Sequence, residues 1–109
     1  MEVRFTRGFV KELKKQLSQT EALNMLKKLI NTSVYEGDLI TVIGNMVLKE
    51  KKHGSFRFYF IFRNDNMVLM TEQELRQKII LFIQISKKNN QQIVINKLKD
   101  DLKNTGFKI

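Results

Sequence analysis

The sequence predicts an α+β fold in which a small antiparallel sheet packs against an N-terminal helical hairpin and a C-terminal helix. Apolar residues recur with helical spacing near both ends of the chain and alternate with period two in its middle. The chain has 109 residues, of which 42% are hydrophobic, so it suits one domain with one core, spanning residues 1–109. These three observations favour helices layered on a sheet.

The first elements are predicted to be a short strand and two helices. Met1 to Phe5 alternates weakly, as a strand does, and helical periodicity follows. Ser18 and Glu21 have the spacing of a capping box, so a second helix is expected to begin there. Two helices joined so closely form an antiparallel hairpin. Their apolar stripes are Phe9, Val10, Leu13 and Leu17, then Ala22, Met25, Leu26, Leu29 and Ile30.

Strands are predicted in the middle of the chain. Gly37 and Gly44 interrupt the sequence after the second helix. Met46 to Lys52 is a predicted strand, His53-Gly54 a turn, and Ser55 to Arg63 the clearest strand. Because side chains alternate along a strand, Phe56, Phe58, Phe60 and Phe62 fall on one face, and Arg57, Tyr59, Ile61 and Arg63 on the other.

The last third of the chain is predicted to hold a central strand and a closing helix. Residues from Ile79 to Ser86 are apolar on both faces, as in a strand covered on both sides. The other predicted features are a turn at Asn64-Asp65-Asn66, a returning strand over Met67 to Met70, a short helix over Thr71 to Lys78, the last helix over Asn89 to Lys103, and a helix stop at Gly106.

Composition restricts the classes of function. The chain has 20 Lys plus Arg against 11 Asp plus Glu, a net charge of +9, which attracts polyanions such as nucleic acid or the ribosome. Two alternatives to a nucleic-acid partner stay open: the charge only keeps the protein soluble, or the protein binds an anionic membrane surface. The absence of Cys and the single His exclude thiolate and His-rich metal sites, so we expect no metal and no cofactor. The apolar runs are too short to span a bilayer, and a cytoplasmic location without a membrane partner is expected.

A basic cluster is the candidate site. Side-chain alternation points Lys49 and Lys51 the same way, and if the middle strands pair as a hairpin joined by the later strand, the basic groups converge at one end of the sheet. The alternative is a hairpin edge protected by lysines against edge-to-edge pairing. The cluster comprises Lys49, Lys51, Lys52, His53, Arg57, Tyr59, Lys87 and Lys88.

These residue types suit an RNA phosphodiester. Lysine and arginine contact phosphate, and Tyr59 can stack on a base. RNA supplies its own nucleophile, the 2′-hydroxyl, so cleavage needs only a base, an acid and cations.

Three stretches of the chain resemble the RelE/ParE-type toxins of bacterial type II toxin–antitoxin systems. They are VRFTRGFVKELKKQ, LKEKKHGSFRFYFIF and ILFIQISKKNNQQIVINKL, and together they cover most of the chain. The resemblance implies a metal-independent endoribonuclease that cuts mRNA on the ribosome, with rRNA contacts, that inhibits translation and is silenced by a cognate antitoxin.

The resemblance also implies residue roles. Arg57 matches the strand arginine that contacts the scissile phosphate, and Lys88, with Lys87 beside it, matches the basic end of the last strand. Lys49 and Lys51 match the two lysines of the preceding strand if this turn is one residue shorter. The implied catalytic residues are therefore Lys49, Lys51, Arg57 and Lys88, with Lys52, His53, Tyr59 and Lys87 binding RNA.

The chain departs from the family in two places. Val94 stands where RelE itself carries a tyrosine, and His53 is a candidate substitute for that tyrosine. The stretch from Met67 to Lys78 is longer than the usual connection. Two other functions therefore stay open: a ParE-like inhibitor of DNA gyrase, and a non-catalytic module on the same fold that binds nucleic acid or a partner.

Overall fold

In the part of the chain that the structure describes, the elements follow one another as a strand, two helices, four strands, a 3₁₀ turn and a final helix. A computed structural model describes residues 2–64 and 79–104. Their elements are β1 (Glu2–Phe5), α1 (Arg7–Gln16), α2 (Gln19–Leu29), β2 (Asp38–Ile43), β3 (Met46–His53), β4 (Phe56–Arg63), β5 (Ile79–Lys87), a 3₁₀ turn (Lys88–Asn90) and α3 (Gln91–Asn104).

The five strands form one mixed sheet in the order β1-β5-β4-β3-β2. The pairs β2–β3, β3–β4 and β4–β5 are antiparallel, but β1 runs parallel to β5 in the register Glu2↔Ile79. The α+β class is confirmed, whereas the prediction of an antiparallel sheet is wrong at this edge. The reason is topological: β1 has no hairpin partner, and alternation within four residues carries no information about strand direction.

The strand β2 was not predicted. It pairs with β3 through a turn at Gly44, which has φ +61, in the register Ile43↔Met46. As an edge strand it keeps Leu39 61% exposed and Val42 39% exposed. Its side chains therefore lack the clear alternation of a strand with one buried face.

The predicted hairpin of β3 and β4 is confirmed, with its turn at Gly54-Ser55, one residue later than the predicted His53-Gly54. Its register extends from His53↔Phe56 to Met46↔Arg63, and Gly54 in the turn has φ +59. That left-handed conformation is readily adopted by glycine. A two-residue connection of this kind fixes which residues of the two strands share a face.

The two faces of the sheet have separate cores, as the alternation in β4 predicts. On one face Phe58, Phe60 and Phe62 pack with residues of α1 and α2, and the Phe60 and Phe82 rings lie 5.2 Å apart. The opposite face carries Leu48, Tyr59, Ile61 and Ile83, which pack against Ile95, Leu98 and Leu102 of α3. Each fully buried side chain of this size contributes about 1.5–3 kcal/mol, so both cores hold the sheet in place.

Side-chain caps set the helix boundaries. Ser18 Oγ accepts a hydrogen bond from the Glu21 amide at 3.2 Å, which confirms the predicted start of α2. Thr6 Oγ1 caps α1 in the same way, from the Phe9 amide at 3.1 Å. The closing helix begins at Gln91, two residues later than predicted, because the 3₁₀ turn precedes it. The predictions for Asp65-Asn66, Met67 to Met70, Thr71 to Lys78 and Gly106 lie outside the described residues.

Candidate nucleic-acid interface

Five basic residues lie at the end of the sheet where three strands meet. Strand β3 ends at His53, β4 begins at Phe56 and β5 ends at Lys87, and the pairs His53↔Phe56 and Phe56↔Lys87 bring these ends together. We call the group the basic sheet end; its members are Lys52, His53, Arg57, Lys87 and Lys88.

Four of these five side chains are exposed. Lys52 pairs with Asp38 at 3.5 Å, but the two side chains are 58% and 66% exposed, so the pair contributes about 0–1 kcal/mol and leaves the lysine available. Lys87 Nζ lies 5.9 Å from the centre of the Phe56 ring. The Lys88 amide donates to Ser55 O at 3.0 Å, which fixes the 3₁₀ turn to the start of β4. The backbone thus positions exposed cations around one edge.

Arg57, in contrast, is buried. Its Nη1 donates to Gly54 O and Phe56 O, both at 2.9 Å, so the guanidinium folds back over the β3–β4 turn. Its Nε lies 3.3 Å from Glu50 Oε1 and forms an ion pair without hydrogen-bond geometry. With 9% of the side chain exposed, the arginine in this conformation holds the turn rather than facing solvent.

Glu50 connects this arginine to the closing helix. Its carboxylate is 3% exposed, and Oε1 also accepts a hydrogen bond from Gln91 Nε2 at 2.6 Å. A buried carboxylate requires compensation of this kind because desolvation of a charge is costly. Glu50 thereby ties β3, β4 and the first residue of α3 together.

Tyr59 is also enclosed on this face. The residue is fully buried, and its hydroxyl lies 2.8 Å from Ser86 Oγ. Burial raises the pKa of the Tyr59 phenol above its ordinary value, against the opposing effect of the hydrogen bond to Ser86. The hydroxyl is therefore neutral, and the ring is not accessible for stacking on a base.

The structure does not bring Lys49 and Lys51 to Arg57. They pair with Phe60 and Phe58 in the β3–β4 register and so lie on the face covered by α1 and α2. Arg57 pairs with Lys52 and lies on the other face. The predicted convergence of all eight residues is therefore wrong for these two lysines, since a one-residue shift reverses the face of a strand residue.

Both lysines instead anchor the segment that links α2 to β2. Lys49 Nζ donates to Val34 O at 2.7 Å and to Glu36 O at 3.2 Å. Lys51 Nζ donates to Thr32 Oγ1 at 3.1 Å and to Glu36 Oε2 at 3.2 Å. The backbone amide of Ser33, and then Lys51, hold the pKa of Glu36 below its ordinary value. These contacts give the two lysines a structural role.

Sequence reasoning missed two residues of this region. Glu50 is the one acidic residue within LKEKK, and its alternation with Lys49 and Lys51 places it on the face of Arg57. That spacing was the clue to the ion pair. Phe56 was placed with the other phenylalanines on one face of its strand, and it begins that strand and is only partly buried.

Clustered metal ligands and membrane-spanning helices would each define another class of site. Within residues 2–64 and 79–104, no three His, Asp or Glu side chains lie close enough together to hold a metal ion. No helix in the same residues is long and apolar enough to cross a membrane.

Comparison with known proteins identifies the fold. No protein-family model and no curated protein matches the sequence. The arrangement of strands and helices is that of a RelE-type α+β fold, which confirms at the level of fold the resemblance found in the sequence. A similar solved structure is that of the archaeal RelE-RelB complex from Pyrococcus horikoshii OT3. The two chains are 15% identical, with a TM-score of 0.53, over 80% of this chain and 93% of that one.

Proposed function

We propose that the chain is the toxin of a type II toxin–antitoxin system and that it inhibits translation by cutting mRNA on the ribosome. The observation that carries the proposal is the basic sheet end, in which exposed cations surround the meeting point of three strands on a RelE-type fold. Such an edge favours a polyanion, and the net charge of +9 speeds its encounter.

The chemistry assigned to this edge uses the 2′-hydroxyl of the RNA. A base removes the 2′-hydroxyl proton, the oxygen attacks the adjacent phosphorus, and the bond from phosphorus to the 5′-oxygen breaks as an acid protonates that oxygen. The products are a 2′,3′-cyclic phosphate and a free 5′-hydroxyl. Lys87 and Lys88 are the groups we assign to the phosphate, and the exposed imidazole of His53 is our candidate for proton transfer.

Arg57 takes part in this scheme in one of two ways. In the present conformation its guanidinium holds the β3–β4 turn, and so positions His53 and Phe56 on either side of that turn. A direct contact with phosphate requires the guanidinium to leave Glu50 and both carbonyls. Truncation of Arg57 therefore tests turn geometry as well as charge, and stability must be measured beside activity.

A protein antitoxin is part of the proposal. The similar structure is a RelE-RelB complex, and a chain with a net charge of +9 suits an acidic partner. We expect a short acidic protein, or one with a helix-turn-helix, to be encoded by an adjacent reading frame. Its co-expression should restore the growth of cells that produce this chain.

A second candidate function is inhibition without cutting, as by a gyrase inhibitor or a non-catalytic binder. The observation that favours it is the burial of Arg57 against Glu50, together with the engagement of Lys49 and Lys51 by the α2–β2 segment. Val94, in place of a tyrosine in the closing helix, is compatible with it.

Induced expression in bacteria separates these functions. The nuclease hypothesis predicts arrested growth and new 5′ ends within translated mRNAs, with plasmid supercoiling unchanged. Lys88→Gln should weaken both effects, whereas Lys97→Gln, which removes the same charge from an exposed position of α3, should not. Relaxed plasmid DNA with intact mRNA would instead identify a gyrase inhibitor, and growth without any arrest would leave a non-catalytic binder.

A further inference from the structure

The ring of Phe56 lies at the outer end of the sheet, where the aromatic face of β4 reaches the surface. It stacks beside Phe58, with ring centres 6.2 Å apart and planes inclined by 9°. Because it is only partly buried, it packs against the core and still presents part of its surface to solvent. The core contacts fix the plane of the ring, which is the condition for a rigid stacking surface.

Two depressions border this ring. One, of about 280 Å³, is lined by Phe56 together with Lys87, Gln16, Asn89 and Asn90. The other, also of about 280 Å³, is lined by Phe56 together with His53, Asn24 and Lys28. The ring thus forms part of the wall of both depressions, with a basic residue of the sheet end in each.

The chemistry of the first depression suits a nucleotide. An aromatic ring offers a face on which any base can stack, and Lys87 already lies above this ring at 5.9 Å. Gln16, Asn89 and Asn90 carry amides that can donate to and accept from the edge of a base. Glu12, on the same wall, accepts from Gln16 at 3.1 Å and can accept from an exocyclic amino group.

We infer that Phe56 is a stacking platform for an unpaired RNA base, and that the depression beside Lys87 receives that base while Lys87 contacts its phosphate. The inference rests on the proposed RNA substrate and adds to it the residue that positions the strand. It also reassigns the aromatic contact that the sequence had given to Tyr59, which is fully buried. An RNA duplex keeps its bases stacked, so the ligand class is single-stranded RNA.

Tryptophan fluorescence tests the platform directly, because the chain contains no Trp. In Phe56→Trp, the indole becomes the single reporter at the proposed contact. The probes are octamers of 2′-O-methyl uridine, cytidine and adenosine, which the proposed reaction cannot cut because the nucleophile is blocked. We expect saturable quenching by at least one octamer. Val42→Trp, on the exposed edge strand β2 where Val42 pairs with Val47, should show none.

Affinity measurements supply the second arm. Phe56→Leu keeps an apolar side chain but removes the π face, and it should weaken binding of the octamer about tenfold. Phe56→Tyr should bind as the wild type does, and thermal unfolding confirms that each variant is folded. Wild-type affinity in folded Phe56→Leu, or quenching of Phe56→Trp by polyglutamate but not by RNA, would overturn the platform.

The platform and the proposed function fail separately. If expression of the wild type produces cuts in mRNA but Phe56→Trp shows no quenching at low salt, the nuclease stands and the platform is wrong. If the octamers quench Phe56→Trp and no mRNA is cut in cells, the platform stands and the protein binds RNA without cleaving it.

Discussion

Arg57 and Glu50 form an ion pair inside the protein, with Arg57 Nε 3.3 Å from Glu50 Oε1 and the two side chains 9% and 3% exposed. The residue that the resemblance makes central to catalysis is thus also a structural residue. Its charge is balanced by a carboxylate that is bound in turn by Gln91 of the closing helix. Effects of mutation at Arg57 therefore combine folding with function.

Removal of either partner of this pair should destabilise the protein. Glu50→Ala leaves the guanidinium buried without its carboxylate, and Arg57→Ala leaves the carboxylate buried without its guanidinium. Each substitution should lower the free energy of unfolding by about 3 kcal/mol. The double variant should lose clearly less stability than the two single variants lose together, because neither charge is then buried without its partner. Urea unfolding of the four proteins measures this coupling, and additive losses would show that the pair contributes nothing.

Lys49 and Lys51 should matter for stability more than for activity. Lys49→Met loses hydrogen bonds from an ammonium to Val34 O and Glu36 O, which should cost about 2 kcal/mol. At a temperature where the variants remain folded, Lys49→Met and Lys51→Met should keep the toxicity of the wild type. Loss of toxicity in a folded variant would instead support the catalytic roles implied by the resemblance.

Tyr59 should make the protein sensitive to alkali. The raised pKa of its phenol means that the folded state resists ionisation, so its contribution to stability is complete below the ordinary value of 10.0 and is lost as pH rises toward the folded value. Tyr59→Phe loses the hydrogen bond to Ser86 and should be less stable by about 1 kcal/mol at pH 7. The difference in the free energy of unfolding between the wild type and Tyr59→Phe should narrow above pH 10. A difference that stays constant from pH 7 to above pH 10 would contradict the raised pKa of Tyr59.

Gly37 and Gly44 provide a matched pair of substitutions. Both have positive φ, +81 and +61, so alanine is strained at either position. A Cβ at Gly37 would also lie 2.7 Å from Glu50 O, whereas one at Gly44 meets nothing within 4 Å. Gly37→Ala should therefore lose at least about 1 kcal/mol more than Gly44→Ala, as judged by thermal unfolding. Equal losses of stability in the two variants would mean that the backbone near Glu50 moves away from the added methyl group at little cost in free energy.

The sequence predicted the elements with strong periodicity. The alternation of Phe56, Phe58, Phe60 and Phe62 located β4 and its two faces, and the capping residues Ser18 and Glu21 located α2. β2 was missed because an edge strand buries little of either face. The direction of β1 was missed because strand direction depends on which distant strand it meets.

The residues that lie beside Arg57 are decided by the register between β3 and β4, and the sequence alone did not fix that register. The match to the family's lysines, which took this turn as one residue shorter than the family's, put Lys49 and Lys51 beside Arg57. The two-residue turn of the structure puts Glu50 and Lys52 there. The ends of the strands did not depend on this choice: Lys52 pairs with Arg57 on one face, and His53 and Lys87 both pair with Phe56 on the other.

Cleavage of a defined mRNA during translation is the reaction that we propose for this chain, and it can be measured in a purified system. Purified protein is added to a cell-free translation reaction, and the ends of the mRNA are mapped by primer extension. We predict cuts in the coding region that require translation and that vanish when the nucleotide 5′ to the cut carries a 2′-deoxyribose. Intact mRNA in a reaction whose protein synthesis has stopped, or cutting that persists at the 2′-deoxy position, would contradict it.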